Sequence, residues 1–180
     1  MSNVFVISDL HLSHNNILSF KDGDKPLRPF SSMEEMNEHI VERWNSVVSV
    51  DDTVFNLGDV VFAQTGFDYL PRLNGNKILC MGNHCAPRYS ADRFLKYFSK
   101  VTSYIEYKGG ILSHIPIHTS QLERYKWNIC GHLHSNRVMM DVGGKQVEDP
   151  RYFCASVEQI NYTPILLDDI IEIFKGRGII

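Results

Sequence analysis

The sequence lacks several features that would place a protein outside the ordinary globular class. Its 180 residues include only four cysteines and no C-x-x-C pair, so neither a disulfide framework nor a thiolate metal site is indicated. The net charge is only −3, which disfavours nonspecific coating of nucleic acid. No apolar run approaches the ~18 residues that a membrane span requires. We therefore expect a protein that does not bind membranes.

The amino terminus also lacks a secretion leader. After Met1-Ser2-Asn3 the chain enters the apolar run 4–7 directly, with no basic segment, long apolar segment or small-residue cleavage site. These absences predict a cytoplasmic protein. A chain of this length can bury about 70% of its unfolded surface without disulfides or oligomerisation. One domain over residues 1–180 is expected, and nothing in the sequence indicates an oligomeric state.

Apolar patterning predicts strands that alternate with helices in the first half of the chain. Short β-branched and aromatic runs predict strands over 4–7, 53–57, 77–81 and 101–107. A capping box from Ser32 to Glu35 opens a helix over 32–48, and a second helical pattern covers 90–98. Residues 21–29, with two prolines and several charges, are expected to form a long irregular loop that acts as a lid or a specificity loop.

The second half is richer in predicted strands. Gly109-Gly110 is a hairpin signal between strands over 104–107 and 111–113. Further short strands are predicted around 128–130, 138–141 and 163–167, and a closing helix over 168–175.

Polar clusters follow the predicted strands. They are Asp9-Leu10-His11, Gly58-Asp59, Gly82-Asn83-His84, His114 and Gly131-His132-Leu133-His134. If strand geometry persists, the alternation in Asp9-x-His11 and His132-x-His134 points both side chains of each pair the same way. Each cluster alone is also explained as a turn or an incidental histidine, but their recurrence at the ends of adjacent strands favours one shared metal centre. Mixed carboxylate, imidazole and amide ligands suit Mn²⁺, Zn²⁺ or Fe²⁺.

In this order, the clusters resemble the calcineurin-like metallophosphoesterase superfamily over residues 9–134. The stretches 8–17 and 44–48 further resemble small single-domain phosphoesterases of bacterial or phage type. The resemblance implies an α/β fold, specifically a four-layer αββα sandwich with mixed β-sheets.

The resemblance also implies the roles of individual residues. Two divalent ions would be bound, with Mn²⁺ as the first choice and Zn²⁺, Fe²⁺, Ni²⁺ or Mg²⁺ as alternatives. The first ion would be held by Asp9, His11 and His134, the second by Asn83, His114 and His132, with Asp59 as the bridge and His84 as the catalytic residue. His84 would act as a general acid or as a cation beside the leaving group.

Two positions depart from the superfamily pattern. An acidic residue often follows the Asn-His pair, where this chain has Cys85, and the common G-D-x-x-D pattern ends here in Phe62. Neither side chain can hold an imidazole as a carboxylate does. Arg88 and Tyr89, beyond the Asn-His pair, could form a phosphate clamp with an aromatic surface, although solvated charge and core packing are the more ordinary interpretation.

The implied activity is hydrolysis of a phosphodiester or phosphomonoester through a metal-bridging hydroxide. The expected partner is a small phosphorylated substrate, with a nucleotide or cyclic nucleotide as the first candidate. One alternative is a noncatalytic protein-binding scaffold on the same fold, which would be expected to have lost ligands. The other is a nuclease acting on DNA or RNA, which the net charge disfavours.

Overall fold

The computed structural model of the protein describes residues 2–180. The strands are β1 (Val4–Ile7), β2 (Lys21–Asp22), β3 (Lys25–Pro26), β4 (Thr53–Asn56), β5 (Asn76–Cys80), β6 (Lys100–Thr102), β7 (Tyr104–Tyr107), β8 (Gly110–Ser113), β9 (Asn128–Cys130), β10 (Met139–Val142), β11 (Lys145–Glu148), β12 (Tyr152–Cys154) and β13 (Ile165–Leu166). The α-helices are α1 (Met33–Asn45), α2 (Ala91–Phe94) and α3 (Leu167–Gly176), and 3-10 helices span Asn15–Ser19, Gln64–Arg72 and Thr119–Glu123.

Two mixed sheets form the centre of the molecule. The first has the order β13-β1-β4-β5-β6, in which β1, β4, β5 and β6 are parallel and β13 pairs antiparallel with β1. The second has the order β12-β9-β8-β7, in which only the β7–β8 hairpin is antiparallel. The parallel strands of each sheet therefore end at a common edge, where side chains from consecutive loops can meet.

The buried apolar side chains form two clusters, one on each face of the first sheet. The larger contains the apolar stripe of α1, including Met36, Ile40 and Trp44. The other joins residues from both sheets, such as Val6 and Ile129, to the inner face of α3, where Phe174 stacks on Trp127. The mixed α/β architecture with two mixed sheets is thus confirmed, while the full four-layer αββα order stays a prediction.

Helix α1 begins where the capping box predicts. Ser32 is its N-cap, and its hydroxyl accepts a hydrogen bond from the backbone N–H of Glu35 at 3.0 Å. The helix ends at Asn45 rather than at 48. The predicted strands at 4–7, 53–57, 77–81 and 128–130 and the closing helix are confirmed to within two residues at each end.

Three local predictions are wrong. The strand predicted over 101–107 is two strands, because the chain leaves the first sheet after β6 and enters the second at β7. The helix predicted over 90–98 is reduced to α2. The segment 21–29 is not wholly irregular, because it contains the small β2–β3 hairpin. Within residues 2–180, no helix is long and apolar enough to cross a membrane.

Gly110 should be sensitive to any side chain. A Cβ at this position would overlap the indole of Trp127, which is fully buried, so Gly110→Ala should destabilise the protein by about 1–3 kcal/mol through overpacking. A Cβ at Gly176 meets nothing within 4 Å, so Gly176→Ala is the matched control. Urea denaturation of both variants measures the difference, and equal unfolding free energies would contradict the packing argument.

Candidate metal centre

The structure brings the polar clusters to one place, at the carboxyl ends of strands from both sheets. Asp9 and His11 follow β1, Asp59 follows β4, Asn83 and His84 follow β5, His114 follows β8, and His132 and His134 follow β9. Backbone hydrogen bonds continue beyond the strand ends and hold the loops together. The N–H of His11 donates to the carbonyl of Asp59 at 2.8 Å, and the N–H of Gly131 donates to the carbonyl of His114 at 2.9 Å.

Strand geometry, the condition under which alternation would point both side chains of each paired motif the same way, does not persist through the motifs. β1 ends at Ile7 and β9 ends at Cys130, before either motif begins. The motif residues instead have left-handed backbone conformations, with positive φ at Asp9 (60°), His11 (50°), Asp59 (49°), His132 (68°) and His134 (51°). A left-handed conformation costs a non-glycine residue about 1–2 kcal/mol, and such residues concentrate at functional sites.

Two adjacent groups of ligand-type atoms result. Asp9, His11 and His134 form one group, and Asp59, His114 and His132 form the other. In each group the carboxylate oxygen and imidazole nitrogens all lie within 4.8 Å of one another. His132 and His134, although only two residues apart, therefore face different groups.

Asp59 lies between the two groups. Its Oδ2 is 3.2 Å from His114 Nε2 in its own group and 3.8 Å from His11 Nε2 in the other. Its Oδ1 accepts a hydrogen bond from the backbone N–H of His84 at 2.9 Å. Burial raises the pKa of Asp59, but the hydrogen bond and positive charge of His114 outweigh it and hold the pKa below its usual range. The carboxylate that faces both groups is thus ionised.

The first group contains buried polar atoms that lack partners. Asp9 Oδ1 and His11 Nε2 lie 3.8 Å apart, and within residues 2–180 neither has a hydrogen-bond partner. The other carboxylate oxygen of Asp9 accepts from the backbone N–H of His132 and from the hydroxyl of Ser156. Burial, then the charge of Arg28, lowers the pKa of His11 well below its ordinary value, so Nε2 is available as a neutral ligand. Buried unpaired atoms of this kind are rare, and a divalent cation would satisfy both.

The second group is oriented by its surroundings. His114 Nδ1 lies 2.8 Å from the carbonyl of Leu57, which fixes that nitrogen as the donor and leaves Nε2 facing the group. Nε2 is also 2.7 Å from the amide oxygen of Asn83, so carboxylate, amide and imidazole atoms converge. These donors suit a borderline or hard divalent ion better than a soft one.

His134 is oriented through a buried ion pair. Its Nδ1 lies 2.9 Å from Glu158 Oε1, which leaves Nε2 for the first group. The same carboxylate oxygen accepts from Arg28 Nε at 2.8 Å, and Arg28 is fully buried. Arg28 also donates to the backbone carbonyls of Asp9 and Leu10, so it ties the loop after β1 to Glu158.

One wall beside the first group is built from stacked planar side chains. The rings of His14 and Phe62 are parallel, with centroids 3.5 Å apart and an angle of 10°. Arg88 lies over Phe62, and its Nη1 is 3.1 Å from Nδ1 of His84. Burial, then the charge of Arg28, lowers the pKa of His14 to about 4, so this ring is neutral.

Comparison with known proteins finds no family model that matches the chain. The uncharacterized protein MJ1445 of Methanocaldococcus jannaschii is 34% identical over 186 residues, which cover 98% of this chain and 94% of that protein. This chain belongs to the MJ1445 family. This chain is also similar to a protein of known structure, AQ665 of Aquifex aeolicus, whose function is unknown. It matches with a TM-score of 0.70 and 28% identity over 96% of this chain and 99% of that one.

A nuclease MPE of Pseudomonas putida is a more distant structural match. Its TM-score is 0.48 at 15% identity, over 81% of this chain and 66% of that one. That similarity is too remote to assign an activity. The activity of this member of the MJ1445 family is therefore inferred from the geometry of its own site.

Sequence reasoning about this MJ1445-family member missed the residues that support the ligands. Arg28 lies in the segment interpreted as a lid, and Glu158 and Ser156 lie beyond the last recognised motif. No local pattern distinguishes them, because their partners are up to 147 residues away in the sequence. A further histidine, His118, lies outside both groups and caps the 3-10 helix Thr119–Glu123.

Proposed function

We propose that the protein is a dinuclear-metal phosphoesterase of the calcineurin-like type, which hydrolyses a phosphodiester or phosphomonoester. The observation that carries the proposal is the pair of adjacent ligand groups with the Asp59 carboxylate between them. The unpartnered Asp9 Oδ1 and His11 Nε2 support it, because a cation satisfies both atoms. The proposed ligands are Asp9, His11 and His134 for one ion and Asn83, His114 and His132 for the other, with Asp59 shared.

When bound, two divalent ions at this position would polarise the phosphoryl oxygens and lower the pKa of a bound water. Mn²⁺ is the proposed ion, since the donor set mixes hard oxygen and borderline nitrogen ligands. Hydrogen bonds within the chain orient the ligand side chains. His114 and His134 are each fixed through Nδ1, and Asp9 through its Oδ2, so each presents only its remaining atom to the site.

His84 is the proposed catalytic residue. Its side chain is only half-buried, and its ring centroid lies 5.7 Å from that of His11, which places it at the open side of the first group. Its backbone N–H is tied to the shared carboxylate of Asp59. A histidine in this position can donate a hydrogen bond or a proton to the leaving-group oxygen.

A small substrate is proposed because of a cleft that opens directly beside the second group. The cleft has a volume of about 360 Å³, and its walls include Met81, Ala86, Ser103 and Ile115 together with His114 and Asn83. None of the residues that line it is an acid, a lysine or an arginine. This size, and walls without acidic, lysine or arginine side chains, suit an uncharged planar group such as a nucleobase, so a nucleotide or cyclic nucleotide is the proposed substrate.

The test is hydrolysis of bis-p-nitrophenyl phosphate and p-nitrophenyl phosphate with Mn²⁺, Ni²⁺, Zn²⁺ or Mg²⁺. We expect turnover that requires added metal and disappears with a chelator. Faster turnover of the diester would direct the next screen to cyclic and linear nucleotides, and degradation of oligonucleotides would instead indicate a nuclease. A protein that binds two ions and hydrolyses none of these substrates would favour the noncatalytic scaffold.

His84→Ala should separate catalysis from metal binding. We expect hydrolysis of phenyl or alkyl phosphate esters, whose leaving groups need a proton, to fall by about 10²–10⁴-fold, while the affinity for Mn²⁺ changes by less than about threefold. His118→Ala is the matched control, because it removes an exposed imidazole outside both ligand groups. Steady-state kinetics and a metal titration give the two quantities. An unchanged rate in His84→Ala would remove this residue from the mechanism.

A further inference from the structure

The guanidinium of Arg88 contacts the side chain of His84. Arg88 Nη1 lies 3.1 Å from Nδ1 of the imidazole and 3.2 Å from the backbone carbonyl of His84. Both contacts lie within one turn of chain. The arginine therefore contacts both the ring nitrogen and the backbone carbonyl of His84.

The aromatic ring of Phe62 holds Arg88 in this position. Its Cζ lies 4.0 Å from the centroid of the Phe62 ring, within the range of a cation–π interaction. The ring of His14 is stacked 3.5 Å from the same centroid. Two groups this close to one centroid must cover opposite faces, so Phe62 is enclosed between an imidazole and a guanidinium. The result is a three-layer stack that restrains an otherwise exposed arginine.

The contact determines which nitrogen of His84 carries the proton. A guanidinium is always protonated and can only donate, so the ring nitrogen that faces it must accept. His84 Nδ1 is then unprotonated, and the imidazole proton lies on Nε2. The two positions at which the superfamily pattern has acidic residues are Phe62 and Cys85, and the latter is fully buried. In place of a carboxylate that would accept a hydrogen bond from the imidazole, His84 thus has a guanidinium that donates one to it.

We infer that Arg88 is a positioning residue that fixes His84 as the Nε2–H tautomer and orients that N–H toward the leaving-group oxygen. The tautomer follows from the contact alone. The orientation toward a leaving group rests on the proposed function. Arg88 acts through His84, and Phe62 acts by holding Arg88.

The first experiment reads the tautomer directly and needs no turnover. Nitrogen-15 NMR of the histidine side chains in the metal-free protein should show His84 in a single form with an unprotonated Nδ1. Arg88→Ala should admit a measurable population of the other tautomer. Arg93→Ala is the matched control, because Arg93 stacks on Phe67 at 4.2 Å in the same manner and makes no contact with His84. A proton on Nδ1 in the wild type, or identical spectra of wild type and Arg88→Ala, would overturn the inference.

The second experiment varies the leaving group. p-Nitrophenolate needs little help from a proton donor, whereas phenolate and alkoxides need more. Arg88→Ala should therefore lower kcat on phenyl or alkyl phosphate esters by about tenfold or more and on p-nitrophenyl esters by less than about threefold. Arg88→Lys should recover only part of the loss, since it donates but cannot stack as a plane. A loss of equal size on all esters would reduce Arg88 to a structural role.

The two experiments separate the inference from the function on which part of it rests. If the NMR result is as expected but the metal-loaded wild type hydrolyses no ester, the tautomer assignment stands and the phosphoesterase proposal fails. If the wild type is active but Arg88→Ala changes neither the tautomer nor the leaving-group dependence, the function stands and the role of Arg88 is refuted.

Discussion

Asp59→Asn should lower phosphoester hydrolysis by about a hundredfold or more and should reduce tight binding from two Mn²⁺ ions to at most one. This carboxylate faces both ligand groups, with Oδ2 at 3.2 Å from His114 Nε2 and 3.8 Å from His11 Nε2. Loss of several kcal/mol of charge stabilisation at a metal site corresponds to a change of this size in rate.

The orientation of the new amide explains why so small a substitution should have so large an effect. Oδ1 accepts from the backbone N–H of His84, so an amide at position 59 must keep its oxygen there. The NH₂ group would then occupy the place of Oδ2, between the two groups. An amide nitrogen is not a metal ligand, and it brings no negative charge to the point where both ions need it.

Chelator competition gives the number and affinity of bound ions, and steady-state kinetics gives the rate. Asp68→Asn is the matched control, because Asp68 is exposed, lies outside the ligand groups and loses the same charge. Circular dichroism of the metal-free variants checks that both fold. Two ions bound to Asp59→Asn with wild-type affinity would show that the carboxylate is not shared.

The strands that position the site were predictable because their signals are local. β1, β4 and β5 are short apolar runs that end where polar residues begin, and that boundary is visible in the sequence. The division of the 101–107 run into β6 and β7 was not predictable from its residues. It depends on which distant strands, β5 and β8, are available for pairing.

The ligand types were predictable for the same reason, but their geometry was not. A pattern such as Asp9-x-His11 shows which ligand types are present. Strand periodicity, however, is the wrong explanation for why the two side chains lie close together. The two side chains meet because both residues adopt left-handed conformations, at φ of 60° and 50°. Nothing in the local sequence signals this, since the conformation is imposed by backbone hydrogen bonds to the loop after β4.

The supporting shell was invisible because it depends on contacts between distant segments. Arg28 and Glu158 are separated by 130 residues, and each has an ordinary sequence context. A buried arginine can be recognised only once the fold shows that no solvent reaches it. The sequence predicts an irregular segment over 21–29, yet Arg28 near its end is fully buried and donates hydrogen bonds to the loop after β1.

Glu158→Ala should therefore destabilise the metal-free protein by about 3–5 kcal/mol, the usual cost of removing one partner from a buried ion pair. Arg28 is fully buried and would keep its charge, with only the carbonyls of Asp9 and Leu10 as oxygen partners. His134 would also lose the acceptor of its Nδ1, so Mn²⁺ affinity should fall by about 10–100-fold. The double variant Arg28→Met, Glu158→Leu should lose less stability than the sum of the single changes, because it leaves no unpaired charge.

Urea denaturation in the presence of a chelator, at pH 7 and at a series of lower pH values, measures these differences. Glu38→Ala is the matched control, because the Arg72–Glu38 pair has a short contact of 2.6 Å but is nearly half exposed, so its removal should cost less than about 1 kcal/mol.

Burial raises the pKa of Glu158, yet the charge of Arg28 and the hydrogen bond from His134 outweigh it and lower the pKa. The stability that Glu158 contributes is thus present at neutral pH and lost as the pH falls through that lowered pKa. The difference between wild type and Glu158→Ala should shrink in acid, and a difference that is small at pH 7 or constant with pH would show that the buried pair does not hold the site together.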